Sequence, residues 1–252
     1  PADVTAAMVE AIEAGVATST ALARSTGATL DFVDVGVGRP TADLADCDAM
    51  TEQRFIEAWG AGALAVSRRK ADVLVLGELG IGNSTAAAAV ACGVLGGEPA
   101  DWVGRGTGVD DAGLERKCEA VTLAVGRLGP NCQPLEVLRR VGGAELVAMA
   151  GAAVEARRRR IPIVLDGFIA TAALVPLAVQ RHGMLDHALA GHCSAEPGHR
   201  RLLDAIDKQP LLQLDLRLGE ASGALVALPL LRSAVAAVLD VATFAEVGLG
   251  SS

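Results

Sequence analysis

The sequence predicts an α/β fold in which helices flank a parallel sheet. Short runs at residues 30–37, 73–76 and 161–165 have the length and composition of strands. Segments with helical spacing lie between them, at 52–69 and 134–159. Strand, helix and strand in this order is the repeating unit of a parallel sheet with right-handed crossovers.

Length and composition favour a single domain over residues 1–252. Half of the chain is hydrophobic (51%), which is enough for a sizeable core. We expect an α/β core over about 28–225. A helix is predicted at 1–27, opened by Pro1 with Asp3 as its cap, and a long apolar helix at 225–243. A small helical subdomain is expected from about 1–27 and 226–252.

Charge and cysteine usage exclude several classes of protein. A net charge of −8 argues against a general nucleic-acid binder, which needs a basic surface. Five scattered cysteines without a CxxC pair predict a reducing cytoplasm, with neither a disulfide framework nor a zinc site. No uninterrupted apolar run reaches about 18 residues, so no membrane span is predicted.

The chain is organised around residues 73–85, VLVLGELGIGNST, which read as a strand, a glycine-rich bend and a helix start. Gly77, Gly80 and Gly82 permit tight turns, and residues 83–85 offer side chains that can cap the helix. Backbone N–H groups and the helix dipole would then converge on a seat for a phosphate. The alternative is that the glycines only make a tight turn.

This bend does not match the standard nucleotide fingerprints. Asn83 stands where a P-loop has lysine, and Thr85 stands where GxGxxG has its third glycine. Glu78 suits a ribose hydroxyl or a cationic ring better than a phosphate. The predicted ligand is therefore part phosphate and part polar or cationic.

A second glycine loop, VGRGTGVDD at 103–111, opens a helix that carries Lys117. Asp110 and Asp111 can be simple helix caps. However, a lysine two turns after a Gly-Thr-Gly loop can reach back to a phosphate at the same opening.

Two later carboxylates are candidates for chemistry. Asp166 follows the strand at 161–165 and would lie at the ligand edge of a parallel sheet, or act as a buried cap. Glu220 follows an apolar segment, where burial can raise its pKa enough for a general base; the alternative is an exposed turn residue.

The segment HCSAEPGHR at 192–200 contains two histidines and Glu196. A metal site needs three converging ligands, and a proline and a glycine separate Glu196 from His199. A polar wall or a subunit contact fits this segment better, and no metal is predicted.

Five segments together carry a resemblance: GELGIGNST (77–85), GRGTGVDDAGLERK (104–117), VLDGFIATAA (164–173), SAEPGHRRLL (194–203) and LRLGEASGA (216–224). In this order they resemble the nicotinate-nucleotide:dimethylbenzimidazole phosphoribosyltransferase family. The likeness covers essentially the whole chain, including PADVTAAMV at its start and DVGV at 34–37.

The resemblance implies an enzyme that makes α-ribazole 5′-phosphate and nicotinate from nicotinate mononucleotide and 5,6-dimethylbenzimidazole, for the lower ligand of cobalamin. It also implies a Rossmann-like core, a homodimer, and no cofactor or metal. A nitrogen nucleophile must lose a proton as it attacks C1′, so one base is required, and the pyridinium leaves as a neutral ring. Attack opposite the leaving group inverts the anomeric centre.

The resemblance also assigns residues. Glu220 matches the general base, Glu78 and the bend at 80–84 match the nucleotide loop, Lys117 matches a phosphate contact, and Leu79 and Leu218 match walls against the base ring. The expected substrate-binding set is Glu78, Leu79, Gly80, Ile81, Gly82, Asn83, Ser84, Gly106, Thr107, Gly108, Asp110, Lys117, Leu218 and Gly219.

The sequence departs from the family pattern at its start, because no AGDHGV-like motif precedes PADVT, and that motif contributes to the benzimidazole pocket. Smaller departures are Leu79 for methionine, Ser84 for threonine and Ala221 for glycine. Two alternatives therefore stay open. A binding-only relative would release no nicotinate, and an NAD-dependent oxidoreductase, disfavoured by the broken GxGxxG, would bind NAD.

Overall fold

A four-stranded parallel sheet forms the centre of the computed structural model, which describes residues 4–106 and 108–249. The strands lie in chain order: β1 (Leu74–Leu76), β2 (Ile163–Leu165), β3 (Ala188–Cys193) and β4 (Pro210–Gln213). In the register, Leu76 pairs with Leu165, and Leu165 pairs with Ala190. This architecture confirms the predicted α/β class.

Ten α-helices in the described residues surround the sheet. They are α1 (Val4–Glu13), α2 (Thr18–Thr26), α3 (Glu52–Ser67), α4 (Asn83–Leu95), α5 (Asp111–Gly126), α6 (Pro134–Val141), α7 (Ala144–Arg158), α8 (Phe168–Gln180), α9 (His199–Ala205) and α10 (Ser222–Leu239). The break between α6 and α7 falls at Gly142 and Gly143, as the sequence predicts.

The core is built from small side chains that let helices approach closely. All three residues of β2 are buried, and the alanines at 87–89 of α4 are fully inaccessible. Between α3 and α7 the backbones themselves touch: a Cβ added at Gly62 would overlap the carbonyl of Ala148, and one at Gly151 would overlap that of Trp59. Glycine at these two positions is therefore what allows α3 and α7 to pack this closely.

The predicted strand at 30–37 is wrong. The segment is irregular, and none of the backbone N–H groups from Leu30 to Val35 donates a hydrogen bond to another described residue. A strand exists only where a neighbouring strand pairs with it. The nearest strand, β1, pairs with β2 alone in the described part of the chain.

The strand β1 is also less buried than predicted. Leu76 is buried, whereas Leu74 and Val75 are half-buried. The reason is that β1 lies at the sheet edge and borders a large cavity.

The single helix predicted at 1–27 is two helices, α1 and α2. Gly15 interrupts them with a φ of +75°, a left-handed backbone that does not continue an α-helix. The predicted cap at Pro1 and Asp3 lies outside the described residues.

Two helical segments have the length and mean hydropathy of a membrane span: Val4–Thr26 at 1.2 and α10 at 1.8. Such helices, one or two in number, are weak evidence for a membrane protein, because the core helix of a soluble protein meets the same criteria. The first part of α10 is such a core element, with Ala224, Leu225 and Leu228 buried.

Candidate active site

A cavity of about 840 Å³ opens at the carboxyl end of β1. This is the edge at which open parallel sheets bind ligands. The cavity is lined by the glycine bend at 77–83, the turn at Glu220, the irregular segment at 30–44 and parts of α3 and α7. The two sequence motifs with candidate carboxylates therefore face one space.

The helix α4 begins at Asn83 with Gly82 as its N-cap, in a left-handed conformation (φ +89°). The prediction that residues 83–85 supply a capping side chain is wrong, because no side chain caps this helix. The amide of Asn83 instead donates to the carboxylate of Glu78. The bend is thus organised around Glu78 and is covered by α1, whose Thr5 Oγ1 accepts from the Ile81 N–H at 3.4 Å.

The bend and the Glu220 turn are in direct backbone contact. The Glu220 N–H donates to the Glu78 carbonyl at 3.2 Å. A Cβ at Gly77 would overlap the backbone of Ala221, and one at Gly219 would lie 2.6 Å from Glu78 Oε1. Because only glycine permits this approach, Gly77 and Gly219 set the separation of the two glutamates.

Glu78 has a pKa raised from 4.5 to about 8. Burial of the carboxyl group is the main cause, and the nearby charges of Asp166, Glu145 and Glu220 add to it, while Asn83 opposes them. Part of the residue still reaches the cavity. At neutral pH the group is therefore largely protonated and can donate a hydrogen bond to a ligand.

Glu145 is a third carboxylate at this cavity, and the sequence analysis missed it. It lies in the first turn of α7, where burial raises its pKa and its own backbone N–H works against that rise. Its carboxylate lies close to Gly143: a Cβ added at Gly143 would be 2.6 Å from Glu145 Oε2. The available signal is an acidic residue two positions after a double glycine, in the first turn of a helix.

Glu220 adopts a left-handed conformation (φ 54°) in the turn before α10. Its Oε2 accepts from Ser19, at 3.3 Å from the hydroxyl and 3.5 Å from the backbone N–H. Ser19 is 2% exposed. Nothing in the local sequence around Ser19 indicates this contact, since it joins residues 201 positions apart.

Lys117 lies beside the start of α4. Its ammonium group donates to Ser84 Oγ at 3.0 Å and to the Gly104 carbonyl at 2.5 Å, and burial lowers its pKa. A Cβ at Gly106 would be 3.3 Å from the same Ser84 Oγ. The second glycine loop therefore meets the first at Ser84, which places a cation next to a helix N-terminus, a combination that suits a phosphate.

Glu196 closes this second loop, in a segment for which the sequence favours a polar wall or a subunit contact over a metal site. Its Oε1 accepts from the Gly106 N–H at 3.0 Å. Thr107 lies outside the described residues, and Gly108, next to it, has a φ of +126°.

Asp110 and Asp166 have partners in the protein. Asp110 caps α5 by accepting from the Gly113 N–H at 2.8 Å, which is the simple capping role. Asp166 is buried and accepts from the Ala224 N–H at 3.0 Å, so it anchors the start of α10 beneath Glu220.

Apolar side chains stand exposed around the two glutamates. Ile81 is 58% exposed and Leu218 is 44% exposed, while Leu79 is half-buried. Exposed aliphatic groups next to a polar site are suited to the face of a planar ring.

The histidines of segment 192–200 serve the interior. His199 is fully buried, and its ring contacts Thr171 Oγ1 at 3.0 Å and accepts from the Ser194 N–H at 2.8 Å. Burial lowers its pKa to about 3, so it is neutral. No cluster of three metal-binding side chains occurs in residues 4–106 and 108–249.

The fold and the site define an α/β protein in which two glycine loops meet at the start of a helix and three glutamates line one cavity. A family model described as a phosphoribosyltransferase matches residues 1–249. The chain therefore belongs to the nicotinate-nucleotide:dimethylbenzimidazole phosphoribosyltransferase family, as the sequence motifs indicate.

Individual relatives agree with this assignment. The nicotinate-nucleotide--dimethylbenzimidazole phosphoribosyltransferase of Novosphingobium aromaticivorans is 51% identical over 99% of this chain and 74% of its own length. The enzyme of the same name from Methylorubrum extorquens is 47% identical, with 99% and 73% covered. The crystal structure of the Thermus thermophilus enzyme has a TM-score of 0.93 at 41% identity, covering this whole chain and 80% of that one.

Proposed function

We propose that this chain transfers the phosphoribosyl group of nicotinate mononucleotide to 5,6-dimethylbenzimidazole, which yields α-ribazole 5′-phosphate and nicotinate for cobalamin assembly. The observation that carries the proposal is the convergence of Glu78 and Glu220 on one cavity with apolar walls, next to Lys117 at the start of α4. Each of the relatives described in the preceding subsection has this transferase name. Their names favour the transferase over a binding-only protein or an oxidoreductase.

In the proposed reaction, Glu220 takes the N–H proton of the benzimidazole. The ring nitrogen then attacks C1′ of the ribose, and the C1′–N bond to the pyridinium breaks with its electron pair going to the pyridine nitrogen. Nicotinate leaves with a neutral ring, so no acid or metal is needed to stabilise it. Attack on the opposite face gives inversion from β to α.

Glu78 and Lys117 hold the nucleotide in this scheme. A protonated Glu78 can donate to a ribose hydroxyl, since its pKa is about 8. Lys117 and the helix start hold the phosphate, and Leu79 and Leu218 flank the base ring. The proposed binding set is the one that the sequence analysis gives, with Glu145 added as a further cavity carboxylate.

We also propose a homodimer in the cytoplasm. The C-terminal part of α10 and the residues after it expose apolar side chains, among them Val238, Leu239 and Phe244, each at least 75% exposed. All five cysteines are free, which suits a reducing compartment. The helical subdomain at about 1–27 and 226–252 is part of this proposal, supported by the packing of α2 on α10.

The proposed reaction is tested by following nicotinate release from nicotinate mononucleotide, with and without 5,6-dimethylbenzimidazole, and identifying the product by mass. We expect release that depends on the benzimidazole and a product with the mass of α-ribazole 5′-phosphate. Release that does not depend on it would indicate a hydrolase and contradict the proposal.

The role of Glu220 is tested with Glu220→Gln, which keeps the shape of the side chain and removes the base. We expect turnover to fall by about 10²–10⁴, the usual contribution of a general base, with nearly unchanged affinity for nicotinate mononucleotide. Turnover at the wild-type rate would remove Glu220 from the mechanism.

A further inference from the structure

We infer that Ser19, at the start of α2, is the positioning residue for the general base Glu220. Both its hydroxyl and its backbone N–H are directed at one oxygen, Oε2, at 3.3 Å and 3.5 Å. The inference rests on the proposed function, because it assigns how the base of that reaction is held.

The contact is buried on the Ser19 side and open on the cavity side. Ser19 is 2% exposed and Ala221, which follows Glu220, is 7% exposed, whereas Glu220 is half-buried and lines the cavity. The two donors of Ser19 face the carboxylate from the buried side and favour one orientation of it. The two donors of Ser19 also leave Oε1 available for a proton from the substrate.

Helix α2 is held along α10 by further contacts, so the position of Ser19 is determined by tertiary packing. At the far end, Arg232 donates to the carbonyls of Thr26 and Gly27. In the middle, Leu22 packs against the cluster that contains Leu225 and Leu228.

These contacts place the two helices side by side in the same direction, with both N-termini at Glu220. The partial positive charge of a helix N-terminus favours a carboxylate there. Ser19 is the second residue of α2, so its N–H is one of the donors that a helix leaves without an internal partner. The carboxylate of Glu220 satisfies this donor.

The backbone of Glu220 is fixed from the opposite side. Its N–H donates to the Glu78 carbonyl at 3.2 Å, and its own conformation is left-handed. The side chain therefore extends from a constrained turn, and Ser19 fixes the end of it. Without Ser19 the turn would remain while the carboxylate would be free to change rotamer.

The test is a double-mutant cycle between Ser19→Ala and Glu220→Gln, with Ser19→Thr as the conservative variant and Ser25→Ala as the control. Ser25 lies on the same helix, is exposed, and bonds only to the Leu22 carbonyl in the described contacts. We expect Ser19→Ala to lower kcat about tenfold with the KM for nicotinate mononucleotide within about twofold, as loss of a hydrogen bond to a charged group does. Ser19→Thr should recover most of kcat, and Ser25→Ala should match the wild type.

In the Glu220→Gln background, Ser19→Ala should change kcat by less than about twofold, because the carboxylate that it positions is gone. An equal loss in both backgrounds, or no loss in either, would overturn the inference. A loss that follows the Tm of the variants would show a purely structural role and would overturn it as well.

The urea midpoint of the same four proteins gives a readout that needs no activity. We expect Ser19→Ala to lower the midpoint more when Glu220 is present than when it is glutamine, because a carboxylate accepts a stronger hydrogen bond than a neutral amide oxygen. A wild-type chain without base-dependent release would contradict the proposed reaction alone, while additive midpoints would contradict the Ser19 contact alone.

Discussion

Replacing Glu78 by glutamine should change how the stability of the protein depends on pH. The carboxyl group has a pKa of about 8 in the folded protein, against 4.5 ordinarily. Between these values the unfolded chain has released the proton and the folded chain has kept it, so stability is lost as pH rises from about 4.5 to about 8. At about 1.4 kcal/mol for each pH unit, the loss amounts to about 5 kcal/mol.

Urea unfolding of the wild type and of Glu78→Gln at several pH values between about 5 and 9 measures this effect. The glutamine variant lacks the ionisable group, so its stability relative to the wild type should increase steadily with pH and level off above about 8. Glu115→Gln, a change of an exposed residue on α5, controls for net charge. If the stability difference between Glu78→Gln and wild type stays constant across this range, the carboxyl group titrates normally and the reasoning is refuted.

Other predictions concern the phosphate site, the α3–α7 contact and the ribose contact. Lys117→Met should raise the KM for nicotinate mononucleotide by about 10- to 100-fold, with a smaller effect on kcat, because a charge-assisted hydrogen bond is lost. Steady-state kinetics measures this change, and Arg116→Met, at an exposed neighbouring residue, is the control. Gly62→Ala should lower stability by about 1–3 kcal/mol or more, because the added Cβ overlaps the Ala148 carbonyl. A Cβ added at Gly60 on the same helix has no atom within 4 Å, so Gly60→Ala should be neutral or stabilising. Thermal unfolding of the two variants compares these effects. Glu78→Gln, which keeps a donor, should bind nicotinate mononucleotide more tightly than Glu78→Ala at about pH 7. Calorimetry measures both affinities, and equal or reversed affinities would contradict this role of Glu78.

Those parts of the fold that are determined by residues close together in the sequence could be predicted. The helical spacing at 52–69 corresponds to α3, and the double glycine at 142–143 separates α6 from α7. Gly77 and the apolar residues before it correctly locate the end of β1. These signals are local, because spacing and turn residues act within a few positions.

The wrong strand and the missed site residues involve contacts between residues distant in the chain. The segment at 30–37 has strand composition but pairs with nothing in the described residues, and pairing is decided by what lies beside it. Ser19 and Glu145 belong to no recognised sequence motif. Ser19 lies at the cavity because α2 packs on α10, and Glu145 lies there because α7 packs on α3. Glu78 and Glu220 were found only because glycines beside them mark the turns that bring their backbones together.

The irregular segment at 30–35 has a consequence for the rates at which amide hydrogens exchange with solvent. Its N–H groups donate to no described acceptor, so they should exchange close to the rate of an unfolded chain, while amides in α7 should exchange only through larger openings. The outer edge of β1 borders the same cavity. Amide exchange at 30–35 is therefore a sensitive probe of this edge: any polypeptide that added a strand between the segment and β1 would slow it, and a small-molecule substrate bound at Glu78 would leave it fast.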